Sequence, residues 1–182
     1  MRLLVAGTWM ASGCWIAAAA DGQATNPAPA RIGVYDSRAV AYAHFWSPAN
    51  QRELRKLMDT AQAAKQAGDT NKFQEISAQL QAQQAESHRQ VFSSAPADEA
   101  MTAISARLPE IQKEAGVTEL VSKWDESKLK GYPEKQQVDL TDKLVRELVQ
   151  PTEQQAKILE SMRKQKPLPL KDVDELIRKD QI

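Results

Sequence analysis

Three aspartates, Asp36, Asp125 and Asp139, each close a run of strand-forming residues. Carboxylates gathered at neighbouring strand ends can divide acid–base work between them. Aspartate at a strand end is also ordinary turn chemistry, since its side chain bonds nearby backbone, and the pattern favours that role. His44 and His88 are the only histidines, and neither sits in a cluster of ligand-type residues. A packing or surface role is therefore favoured for both over a metal site or a catalytic base. The single cysteine, Cys14, falls in an apolar N-terminal run. No Gly-x-Ser-x-Gly, phosphate-loop or dinucleotide fingerprint is present. Trp46 and Trp124 offer aromatic surface, although Trp124, ending a strand, suits a core or a subunit interface better. These residues predict no enzyme, no metal and no cofactor, and hence a protein that binds rather than reacts.

The elements that position these residues follow from periodicity. Residues 31–36 alternate, with Ile32 and Val34 on one face, and predict a first strand. Ser37 is placed to cap a helical turn through residue 43, and Pro48 forces Ser47 out of the helical region. Residues 49–94 hold two helical stripes separated by Gly68-Asp69-Thr70-Asn71. They predict an antiparallel hairpin whose arms, at ~1.5 Å per residue, extend roughly 30 Å and project from the body. Leu54, Leu57, Met58, Phe73, Ile76 and Leu80 form its apolar stripe, available for self-burial or for contact with a partner or client. Beyond Leu80 the stripe passes into Gln83, Gln84 and Ser87 before Val91 and Phe92 restore it.

A helix from residue 97, kinked by Pro109, carries Met101, Ile104, Leu108 and Ile111, and Gly116 is suited to a left-handed cap. The run Val117-Thr118-Glu119-Leu120-Val121 then predicts the central strand of the sheet. Val138-Asp139-Leu140 predicts a third strand, with Thr141 capping a helix over 142–149. Residues 151–182 predict a helical C-terminal extension, which either packs back on the body or docks on a partner. The fold class expected is α+β, a small sheet body bearing the hairpin and the tail.

At 182 residues the chain fits one domain with appendages. Lysine plus arginine balance aspartate plus glutamate at 24 each, and no basic face of the kind nucleic acid demands is set apart. Met1-Arg2, the uncharged apolar run 3–16 and the alanines 17–20 predict a signal sequence cleaved before Asp21. That run is too short for a spanning helix, which takes ~20 residues, so no transmembrane segment is expected in the mature chain. Residues 21–30 form a turn-rich, disordered leader. The protein is thus expected to be exported to the periplasm. Ala11-Ser12-Gly13-Cys14 also resembles a lipobox, which leaves a lipid anchor at Cys14 as the alternative.

Three stretches carry a family resemblance: Ile32-Gly33-Val34-Tyr35-Asp36-Ser37-Arg38-Ala39-Val40, Glu114-Ala115-Gly116-Val117-Thr118-Glu119-Leu120-Val121, and Val138-Asp139-Leu140-Thr141-Asp142-Lys143-Leu144-Val145. With the order strand, helical hairpin, helix, strand, strand and helix, residues 31–149 resemble the Skp/OmpH family of periplasmic chaperones. The resemblance implies a trimer whose strands build a shared body, with Ile32, Val34, Leu120 and Trp124 at the oligomer interface. It further implies non-catalytic binding of non-native outer-membrane proteins between the hairpin arms. The alternative is an envelope adaptor that binds one folded partner through the hairpin or the tail. Residues 151–182 have no counterpart in the resemblance.

Overall fold

A computed structural model describes residues 30–182. The expected signal sequence, Cys14 and the leader up to residue 29 lie outside the described residues. Helices dominate a mixed α and β fold built on three short strands, β1 (Ile32–Tyr35), β2 (Leu120–Ser122) and β3 (Gln137–Asp139). All three are parallel, in the order β2-β1-β3.

That order corrects one expectation. The run after Gly116 supplies an edge strand, and β1 is central. The cause lies at Gly33, which pairs with Leu120 on one side and Val138 on the other. A Cβ at Gly33 would come within 2.6 Å of the Leu120 side chain and 2.7 Å of Leu140. Only a residue without a side chain lets both leucines close over the middle of the sheet.

Parallel neighbours need long crossovers. Between β1 and β2 run α1 (Ser37–Trp46), α2 (Pro48–Ala67), α3 (Thr70–Phe92), α4 (Asp98–Ala103) and α5 (Leu108–Ala115). Between β2 and β3 lie α6 (Glu126–Leu129) and one 3-10 turn, where the sequence suggested only a loop. The chain ends in α7 (Thr141–Leu148), α8 (Glu153–Arg163) and α9 (Leu170–Arg178).

The boundaries have local causes. Asp36, rather than the expected Ser37, caps α1 by accepting from the Arg38 backbone N–H. Ser47 is extended at ψ 142° ahead of Pro48, which opens α2. Gly68 and Gly116 end α2 and α5 in the left-handed region, at φ 73° and 62°. Pro109 sits in the first turn of α5 and so starts a helix, where a kink within one continuous helix was expected. Thr141 is the first residue of α7 rather than its cap: its hydroxyl accepts from the Asp36 backbone N–H at 2.9 Å, and the Asp139 carboxylate accepts from its own N–H at 2.9 Å.

One face of the sheet meets α1, α4, α5 and α7 through Val40, Ala100, Ile104, Ile111, Val117, Leu140 and Leu144. On the other face Ile32, Val34 and Val121 lie under Leu129 and Tyr132. Ile32 and Val34 are thus buried within a single chain, and the oligomer interface expected of them is occupied by the chain's own residues.

The C-terminal helices return to this body. Leu159 of α8 packs with Ala39, Ala43 and Val145, and Val173 of α9 is fully buried. Leu168 bonds the Phe92 carbonyl through its N–H, and Arg89 of α3 pairs with Asp174 of α9 at 2.6 Å. Among the described residues, no helix is long and apolar enough to cross a membrane.

Candidate functional site

Ligands of parallel sheets gather beyond the C-terminal strand ends, which here lie at Asp36, Lys123 and Asp139. Asp36 is completely buried there. Its carboxylate accepts from Lys123 Nζ at 2.6 Å, Trp124 Nε1 at 3.0 Å, and Arg38 Nε and Nη2 at 3.3 Å each. Both cations lie over the Trp124 ring, Arg38 at 4.7 Å and Lys123 at 4.5 Å from its centroid. Two cations facing one carboxylate leave an excess of positive charge. Arg38 relieves it by donating to the carbonyls of Met162, at 3.0 Å, and Gln165, at 2.8 Å, where the end of α8 concentrates negative dipole.

Burial pushes the Asp36 carboxyl upward, but the bonds from Lys123, Arg38 and Trp124 together outweigh it and hold the pKa below the ordinary aspartate value. A carboxylate so strongly held in its charged form is a poor proton acceptor. Asp139 is also lowered: burial raises it, while Thr141 and Arg163 pull it further down. Asp125 caps α6 and bonds Ser127, so the three strand-end aspartates all serve the fold. Trp124 is half-buried and covers the Asp36 cluster, outside the core. Trp46 stands apart from it, packed on Tyr42 with ring centroids 4.2 Å apart and the planes tilted by 42°, in the cluster under α8.

Beside this cluster opens a cleft of about 940 Å³ between α1, the near ends of α2 and α3, and α8 with the segment that follows it. Among the described residues six large hydrophobics are exposed, and five of them, Phe45, Met58, Phe92, Ile158 and Leu168, line this cleft. Of the six apolar residues expected to meet a partner, Leu54, Met58 and Leu80 are here. Leu57, Phe73 and Ile76 are elsewhere on the α2–α3 pair, half-buried or buried.

Both histidines also reach the cleft. Nδ1 of His44 is buried and has no hydrogen-bond partner. Burial lowers the His44 pKa, against an opposing pull from Glu99, so the ring stays neutral at physiological pH. Among the described residues no group of three or more His, Cys, Asp or Glu is arranged to hold a metal ion.

No family model, curated protein or solved structure matches the chain.

Sequence reasoning missed the Asp36 cluster and reached only part of the cleft, through Leu54, Met58 and Leu80. The Asp36–Arg38 pair is two residues long, and its isolation from water depends on β2 and α8. The cleft exists only because α8 returns to α1, across a separation that no local pattern records. One signal was available, the change of the α3 stripe from leucine to glutamine at Gln83.

Proposed function

We propose that the chain is an exported, non-catalytic envelope protein, similar in kind to the Skp/OmpH chaperones, that holds apolar segments of non-native proteins. In this reading α2 and α3 form a projecting antiparallel hairpin, the C-terminal helices are its buttress, and the cleft at the hairpin base is the binding site. The observation that carries it is the concentration of exposed Phe45, Met58, Phe92, Ile158 and Leu168 in one concavity. Scattered apolar side chains are normal on a surface, but a contiguous patch marks an interaction site. The cleft lies within one chain, so capture does not depend on a trimeric cavity. Assembly of copies, if it occurs, would involve the edge strands β2 and β3, and light scattering of the purified protein reads it directly.

Suppression of aggregation tests the proposal. The protein should delay aggregation of several unrelated unfolded outer-membrane proteins, and Met58→Asp with Phe92→Asp should abolish the delay while leaving the circular dichroism unchanged. Capture of one folded partner with no effect on aggregation would replace this reading with the adaptor.

A further inference from the structure

The face that α3 turns to the cleft is not uniformly apolar. Leu80, Gln83, Gln84, Ser87, His88 and Val91 follow one another at helical spacing, and all of them line it. The phase of the apolar stripe therefore continues unbroken through residues 83–88 while its chemistry changes to amide, hydroxyl and imidazole. Opposite, on α1, the buried Nδ1 of His44 has no partner.

The charge of the lining narrows the ligand. Arg38 is committed to Asp36, and the remaining charged groups, Glu99 and Lys166, are of opposite sign. Nothing here selects for a charged ligand. What the lining offers is apolar surface around a belt of groups that both donate and accept. A polypeptide segment out of its fold carries an N–H and a C=O at every residue, all requiring partners.

Resting on the proposed function, we infer that the cleft binds its ligand through the main chain: an extended, uncharged apolar peptide segment whose backbone amides bond Gln83 and Gln84. Side chains of the segment contact Met58, Phe92, Ile158 and Leu168, while the amide belt is indifferent to their identity. Recognition is thereby sequence-tolerant, as capture of unrelated chains requires.

The test uses a dye-labelled, end-capped octapeptide of alternating leucine and threonine, and a second copy methylated at alternate backbone nitrogens. Methylation removes N–H donors and keeps the apolar side chains. Fluorescence anisotropy against the protein should show the methylated copy about tenfold weaker, as expected when one or two hydrogen bonds are lost. Gln83→Leu with Gln84→Leu should bring the two affinities within about twofold of each other, and that ratio stays interpretable even if added leucine raises apolar binding overall. Equal affinities for the wild-type protein would overturn main-chain recognition while leaving the cleft as an apolar site. Displacement of the peptide by laurate at a lower concentration than unlabelled peptide would likewise overturn it, in favour of an acyl ligand. Failure of both peptides to bind would remove the proposed function and this inference together.

Discussion

Helix α1 begins in one polar environment and ends in another. At its start Asp36 is completely buried, and two cations, an indole N–H and a backbone N–H saturate its carboxylate. In its last turn His44 is partly buried, with a ring nitrogen that bonds nothing. In the strand-end cluster the carboxylate is buried and fully bonded, with Lys123 and Trp124 half-buried over it. The cleft is open and rimmed by apolar side chains, and the buried His44 Nδ1 beside it has no hydrogen-bond partner. The three strand-end aspartates are held by backbone and side-chain bonds within the fold, while apolar and amide side chains gather at the cleft.

The largest effect expected is on the complete side. Asp36→Ala leaves Arg38 and Lys123 buried or half-buried without their carboxylate and removes the cap of α1. Losing one partner of a buried pair costs about 3–5 kcal/mol, so urea unfolding should show a loss of that order. A loss below about 1 kcal/mol would mean that the cluster is solvated and the contrast false. Gly33→Ala should cost less, about 1–3 kcal/mol, because Leu120 and Leu140 must move off their rotamers to admit a methyl group.

On the incomplete side stability should barely respond. Met58 is 54% exposed, so Met58→Asp should shift the unfolding free energy by no more than about 0.5 kcal/mol. Its affinity for the capped octapeptide should nonetheless fall about tenfold, since a charge would have to be buried against the ligand. Stability and binding moving together would dissolve the distinction between the two regions.

Acid separates them most finely. The folded pKa of His44 lies below its unfolded value, near 6.5, so the unfolded chain takes up a proton that the folded chain resists. Stability should therefore decline as pH falls below about 6.5, and His44→Phe should remove that part of the decline. Asp36 is lowered instead, so its contribution is present above its unfolded pKa of about 3.9 and is lost only as pH falls below that towards the folded value. Melting temperatures at pH 7, 5.5 and 3.5 distinguish the two steps. An unchanged pH 7 to 5.5 interval in His44→Phe would show that the ring is solvated.

Much of the fold was legible because its causes are local. Alternation around Ile32 and Val34, the turn at Gly68, the left-handed cap at Gly116 and the stop at Pro48 each declare themselves within a few residues. What stayed hidden depends on distant partners. Strand order was misjudged because β2 has the longer run of strand formers, whereas centrality was decided by the missing side chain at Gly33. Ser37 and Thr141 looked like caps, but Asp36 caps α1, and its N–H takes the Thr141 hydroxyl while Asp139 accepts from the first N–H of α7. The cleft was half legible: Leu54, Met58 and Leu80 were singled out on helical phase, but Phe45, Ile158 and Leu168 join them only through the return of α8.

Site-specific photo-crosslinking to an unfolded outer-membrane protein tests the central claim most directly. A photoreactive residue placed in turn at Met58, Phe92 and Leu168 should capture the client at all three. Placed at Leu57 or Phe73, away from the cleft on the same helix pair, it should capture little. Crosslinks concentrated at Leu57 and Phe73, or spread evenly over the pair, would contradict the account and return binding to the outer surface of the arms.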